Sequence, residues 1–175
     1  MKKMLLAFVV LIGALAAFAG VASAAQPNTT QTLSTDEVAG LQWMREEEKL
    51  ARDVYKTLGA EFSLPIFQNI ARSEQTHMDA VEVLLNRYGV PDPVGNNGVG
   101  MFTDPQLQAL YDDLVARGST SLASALAVGV EIERLDIGDL ETRLAQTDKA
   151  DIRQVYANLE RGSYNHLRAF TTRQR

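Results

Sequence analysis

Four separate stretches of this chain repeat apolar residues at i, i+3, i+4 and i+7, and each stripe is interrupted by an acidic residue or a histidine. The first stripe is Leu41, Met44, Glu48, Ala51, Tyr55 and Leu58; the second is Phe67, Ile70, Glu74, His77, Val81, Leu84 and Tyr88. The third is Leu122, Leu126, Gly129, Glu133, Asp136, Leu140 and Leu144; the fourth is Ile152, Val155, Leu159, Ser163, His166 and Phe170. Alternating β-branched runs of the kind that make strands do not occur, so the chain is restricted to an all-α fold.

Start and stop signals cut the stripes into helices. Ser34-Thr35-Asp36-Glu37 is a capping box ahead of the first helix, which is expected to run to about Leu58, before Gly59. Ser63-Leu64-Pro65 opens the second helix and Gly89 closes it. Residues 90–103 are irregular and rich in Pro, Gly and Asn, and a short helix follows from Asp104-Pro105 to about Arg117. The third long helix spans about 121–146, and Thr147 or Asp148 is expected to cap the fourth, which reaches at least Phe170. Short loops make each pair antiparallel, and the long middle connection implies an up-down four-helix bundle with one crossover containing a short helix.

The N-terminus has the form of a processing signal. Lys2 and Lys3 precede the apolar run Met4 to Val21, and Ala22-Ser23-Ala24 supplies small residues for cleavage. The alternative is an uncleaved membrane anchor; the cleavage site favours a signal peptide over residues 1–24, a polar leader over 25–33 and one helical domain over 34–172. Localisation outside the cytoplasm is therefore expected, in the periplasm or extracellular space. Residues 1–24 hold two lysines and no acidic residue, so their removal moves the net charge from −5 to −7. Such a chain is poorly suited to nucleic acid or to an anionic membrane surface. With no cysteine, disulfides and thiolate ligands are excluded, and stability rests on the core or on a core plus metal.

Charged side chains on apolar stripes are unfavourable unless something compensates them, and for a Glu/His set a metal ion does so directly. The i, i+3 spacing stacks Glu74 and His77 on one helix face. A single Glu-x-x-His is a weak signal, whereas inward ligand types on four consecutive long helices form a stronger one. Carboxylates plus one histidine per ion suit two iron or manganese ions, with zinc also accepted by such ligands. Glu48, Glu74, His77, Glu133, Asp136 and His166 are the expected metal residues. Other readings exist: each histidine as a hydrogen-bonded core residue, Glu48 paired with Arg52, and Glu133 and Asp136 on a polar edge near Arg134 or Arg143. Glu46, Glu47 and Lys49 are expected to lie on a solvated face, Glu131 and Glu160 fall off the stripes, and Gly129 is expected to open space near the site.

These residues resemble the ferritin-like superfamily. Glu48-Lys49-Leu50-Ala51-Arg52-Asp53-Val54-Tyr55 is similar to the first-helix Glu-x6-Tyr segment of rubrerythrin-type proteins, and Glu74-x-x-His77 to their second-helix motif. From about Leu41 to Phe170 the chain more closely resembles a prokaryotic ferritin-like family known as domain of unknown function 2202. The resemblance is carried by those segments together with Ile132-Glu133-Arg134-Leu135-Asp136-Ile137 and Gly162-Ser163-Tyr164-Asn165-His166-Leu167-Arg168-Ala169-Phe170. It implies Glu48, Glu74, His77, Glu133 and His166 as ligands, with Asp136 as an additional carboxylate. One departure stands out: Ser163 occupies the place of the usual fourth-helix Glu, so a bridging carboxylate is missing and Asp136 is the candidate replacement.

The function expected is an exported di-metal oxidase or peroxidase acting on oxygen or peroxide. Lacking cysteine, it would draw electrons from a partner or a diffusible reductant. The alternatives are a metal-binding or storage module, for which a homo-oligomer is envisaged, and a structural interaction domain without metal.

Overall fold

The computed structural model describes residues 32–174, which form five α-helices and, among the described residues, no strand. The expected signal segment lies outside the described residues, as does the leader apart from Thr32 and Leu33. No helix among the described residues is long and apolar enough to cross a membrane. The elements are α1 (Thr35–Phe62), α2 (Pro65–Tyr88), α3 (Pro105–Gly118), α4 (Leu122–Ala145) and α5 (Ala150–Arg173).

Local chemistry accounts for most of the boundaries. Ser34 and Glu37 exchange the two bonds of a capping box at the start of α1. Gly89, at φ 66°, closes α2 in the left-handed region, and the Asp104 and Ser121 side chains cap α3 and α4. Two boundaries differ from expectation. First, α1 passes through Gly59 and ends at Phe62, because Gly59 is a packing residue: a Cβ there would lie 2.9 Å from Phe67 Cβ. The close α1–α2 approach outweighs the roughly 1 kcal/mol by which Gly weakens a helix relative to Ala. Second, neither Thr147 nor Asp148 caps α5, which starts after Lys149 without a side-chain cap. The Thr147 hydroxyl donates to Glu37 Oε1 at 2.6 Å, tying the α4–α5 turn to the first turn of α1.

The long helices touch in a ring, α1 against α2 and α4, α5 against α4 and α2, while α3 packs on α1 and α4. Their apolar residues form two clusters. One holds Val54, Tyr55, Leu58, Phe67, Ile70, Val128, Ile132 and Phe170; the other holds Leu41, Met44, Val81, Leu84, Leu140, Ile152, Tyr156 and Leu159. Along every long helix the polar stripe residues fall between its contributions to the two clusters. The order of the clusters shows that α1 and α5 run one way and α2 and α4 the other. Leu122, expected in the third stripe, is 40 % exposed at the first residue of α4.

The face of α1 opposite α2 corrects another expectation. Glu46, Glu47 and Lys49 are buried, and residues 98–104 lie across Glu46 and Lys49. Glu46 accepts the backbone N–H groups of Thr103 and Asp104, at 2.6 and 2.9 Å. Lys49 Nζ donates to Gly98 O at 2.7 Å and to Asp53 Oδ2 at 2.5 Å, and stands 4.3 Å from the centre of the Phe102 ring. Asp53 in turn accepts from Gly100 N, and Arg45 grips Asp92. The charges of α1 that look solvent-facing in one dimension are the anchor of the connection between α2 and α3.

Candidate metal centre

Between the two apolar clusters lies a layer of six buried polar side chains: Glu48, Glu74, His77, Glu133, Asp136 and His166. All six expected site residues are thus brought together. The carboxylates come from α1, α2 and α4, and the imidazoles from α2 and α5. Two groups of three form around one shared residue. Glu48, Glu74 and His77 have ligand atoms within 4.8 Å of one another, and so do Glu74, Glu133 and His166; either group could hold a metal ion.

Glu74 is the pivot. Its Oε2 lies 2.7 Å from His77 Nδ1, and its Oε1 lies 2.8 Å from His166 Nδ1. His77 Nδ1 is also 3.1 Å from Glu48 Oε2, and His166 Nδ1 is 3.5 Å from Glu133 Oε2. The imidazoles stack at 5.6 Å with 25° between planes. Each histidine is 9 % exposed whereas the four carboxylates are between 1 and 5 % exposed, so the centre meets solvent along the α2–α5 seam.

Second contacts orient these groups. Tyr55, fully buried as a core aromatic, donates its hydroxyl to Glu133 Oε1 at 2.6 Å. His166 Nε2 lies 3.0 Å from Ser73 Oγ, and donation of Nε2–H to that hydroxyl leaves the Nδ1 lone pair facing Glu74 and Glu133. Gly162 makes room for His77, since a Cβ there would lie 2.6 Å from ring atoms Cε1 and Nε2. Spacing alone did not single out Ser73 or Gly162, although each adjoins a site residue or its helical equivalent in sequence. The room expected at Gly129 is filled by the Phe170 ring, part of an aromatic group with Tyr55 and Phe67.

Asp136 stands apart from both groups. Ser163 donates its hydroxyl to Asp136 Oδ2, so the serine in the usual Glu position holds a carboxylate supplied by α4. The half containing His166 nevertheless has three candidate ligand residues without Asp136. The other pairings are not seen: Arg52 goes to Asp53 and Gln75, Arg143 to Gln146, and Glu131 to Arg117 at the surface.

The carboxylates of the layer have, among the described residues, no basic side chain beside them other than the two imidazoles. Among the described residues, no Lys or Arg pairs with Glu48, Glu74, Glu133 or Asp136. Burial, against the lowering effect of His77, holds Glu48 up at about 7; burial and the Glu74 charge hold Glu133 at about 7. Burial and the charges of Glu48 and Glu47 raise Asp136 well above the usual carboxylate range. Burial also opposes charge on Glu74, but the two imidazoles overcome it and lower Glu74 to about 2. Conversely, burial disfavours the imidazolium, yet the adjacent carboxylates raise His77 and His166 to about 10. Glu48 Oε1, Glu74 Oε1, Asp136 Oδ1 and His166 Nδ1 are buried without a hydrogen-bond partner. Such atoms are rare in folded proteins and fit a set of donors that converge on cations. Two divalent ions would balance the four carboxylates, with both imidazoles neutral.

A solved structure shares this fold. The uncharacterized protein MJ0754 of Methanocaldococcus jannaschii is 56 % identical over 140 residues, covering 80 % of this chain and 76 % of the relative. A crystal structure of hypothetical protein MJ0754 from Methanococcus jannaschii superposes with a TM-score of 0.81 at 54 % identity, covering 82 % of each chain. Residues 37–174 match the family described as an uncharacterized protein domain, DUF2202, and the chain belongs to that family.

Proposed function

We propose that this protein is a ferritin-like four-helix bundle, with α3 in the crossover, whose Glu/His layer binds two transition-metal ions and reacts with oxygen or peroxide. Glu48 and His77 would hold one ion and Glu133 and His166 the other, with Glu74 common to both groups. Iron or manganese suits this ligand set best, and zinc is accepted by the same atoms. The observation that carries the reading is Glu74, whose two oxygens each face a different imidazole. The expected signal segment adds an exported location, in the periplasm or extracellular space.

Bound iron or manganese would supply redox chemistry that no side chain here provides. The residues do the rest. Tyr55 and Ser73 fix the orientations of Glu133 and His166, and the apolar clusters shield the layer from bulk water. The exposed edges of the imidazoles offer the approach for a small oxidant, and reducing equivalents come from a partner or diffusible reductant.

The test is peroxide consumption by iron-loaded protein, compared with Glu74→Ala. Turnover abolished by the substitution supports the reading. Metal bound without turnover reduces it to a binding or storage module, and no metal bound leaves a helical domain with a hydrogen-bonded polar core. The short Glu48–His77–Glu74 contacts favour that last reading, but it leaves Glu48 Oε1 and Asp136 Oδ1 unsatisfied.

A further inference from the structure

One short spacing recurs on the two helices that carry the histidines. Asn69-x-x-Arg72 lies on α2, and Asn158-x-x-Arg161 and Asn165-x-x-Arg168 lie on α5; no other arginine in the chain has an asparagine three residues before it. In each case a guanidinium nitrogen donates to the asparagine side-chain oxygen, and all six residues are exposed. A neutral amide steadies the arginine without cancelling its charge. Among the described residues, none of the three forms an ion pair, whereas Arg45, Lys49, Arg52, Arg87 and Arg117 do.

These arginines frame the solvent edge of the imidazoles. Arg72 adjoins Ser73, whose hydroxyl meets His166 Nε2 at 3.0 Å. Arg161 adjoins Gly162, where the His77 ring takes the place of a side chain, and Arg168 follows His166 by two residues. From Asn69 to Asp79 the exposed acidic residue of α2 is Asp79, which accepts from Gln75; from Asn158 to Thr172 the acidic residue of α5 is Glu160, half-buried. A chain with a net charge of −5 therefore presents a locally basic face above its Glu/His layer.

The spacing of the charges selects the partner. Arg161 and Arg168 are about 10 Å apart along α5, and neighbouring helix axes stand about 8–10 Å apart. No single small carboxylate spans such distances, whereas acidic side chains spread over a protein surface match them. A nucleic acid or an anionic membrane carries its charge far beyond this face and would meet the acidic remainder of the chain; a protein can confine it to a patch. Beside Arg72, the α1–α2 groove opens into a cleft of about 380 Å³ lined by Lys56, Ala60, Gln68, Ala71 and Gln75. Such a recess suits an apolar anchor side chain within an acidic surface.

We propose that the outer face of α2 and α5 docks an acidic protein, its carboxylates paired with Arg72, Arg161 and Arg168 and its surface set over the imidazole edges. Under the proposed function, this is where the partner that supplies reducing equivalents would sit. That purpose rests on the redox reading; the docking itself does not.

Nitrogen-15-labelled protein titrated with a synthetic polyglutamate peptide, followed by amide chemical shifts, provides the test. Shifts are expected over residues 69–76 and 158–168, with an affinity that falls steeply between about 20 and 200 mM salt. Arg72→Gln, Arg161→Gln and Arg168→Gln together should weaken binding about tenfold, as loss of three exposed pairs implies, while Arg117→Gln on α3 should leave it unchanged. Absence of shifts on α2 and α5, unchanged affinity in the triple variant, or an equal loss in Arg117→Gln would overturn the proposal. So would the same shifts from free glutamate at equal carboxylate concentration, which would assign a small-anion site, or tighter binding of a DNA duplex to the same face. The titration is run on metal-free and metal-loaded protein. A footprint on protein that retains no metal would uphold the docking face and refute the redox reading; metal-loaded protein that consumes peroxide without a footprint would do the reverse.

Discussion

Glu74 Oε1 and His166 Nδ1 lie 2.8 Å apart inside the protein, yet neither atom has a hydrogen-bond partner. The pair is close enough to couple electrostatically but is not aligned for donation. Ligand atoms that aim at a common ion approach one another in this way, because each directs a lone pair at a third point. The same carboxylate meets His77 through its other oxygen, so one side chain couples the two halves of the layer.

Gly162 gives the first prediction. A methyl group at this position would press on the His77 ring, so Gly162→Ala should destabilise the protein by about 1–3 kcal/mol. It should also weaken the half formed by Glu48, Glu74 and His77, lowering metal content from about two ions toward one per chain. Thermal unfolding and elemental analysis measure the two effects. Unchanged content would show that the ring need not hold its place to bind metal.

Ser163→Ala separates the role of Asp136 from that of the two ligand groups. Loss of the buried hydroxyl leaves Asp136 Oδ2 without its donor, at a cost of about 1–3 kcal/mol. Metal content should stay near that of the parent protein, because Ser163 touches no member of either group. A loss as large as that caused by His166→Ala would place Asp136 among the ligands of the second ion.

Lys49 anchors the connection after α2. Lys49→Met removes one partner of a fully buried ion pair with Asp53 and should cost about 3–5 kcal/mol in urea unfolding. A loss below about 1 kcal/mol, the range of exposed pairs, would mean that the segment over α1 is held by other contacts.

Proton linkage gives a pH signature. Without metal, the carboxylates raise His77 and His166 to about 10, above the unfolded value of 6.5. That stabilisation is complete below about 6.5 and is lost as pH rises through about 10. Glu48 and Glu133, raised by burial to about 7, act in the same direction between 4.5 and 7. Glu74, lowered to about 2, contributes stability that is present above 4.5 and lost as pH falls through about 2. Chelator-treated protein should therefore melt at progressively lower temperature from about pH 5 to pH 10. Metal binding at neutral pH should release about two protons or more per chain, seen with a pH indicator in weak buffer. A melting temperature that rises across that window would contradict these ionisation states.

The stripe periodicity made all six polar residues of the layer legible, because Glu48, Glu74, His77, Glu133, Asp136 and His166 each replace an apolar residue at helical spacing. Burial of Glu46, Glu47 and Lys49 was not legible. What covers Glu46 and Lys49 is a segment some fifty residues away, and period alone does not say where an irregular segment lies. Gly59 misled in the same way: it reads as a helix stop, but its missing side chain serves contact with Phe67. At Thr147, the hydroxyl donates to a distant carboxylate and accepts from Lys149 N, ahead of α5.

The central claim is a pair of metal positions sharing Glu74, and metal stoichiometry after loading with iron(II) or manganese(II) and desalting tests it most directly. Parent protein should retain about two ions in the Glu/His layer; Glu48→Ala and Glu133→Ala should each retain about one, and Glu74→Ala almost none. Folded parent protein that retains no more metal than Glu74→Ala would contradict the claim.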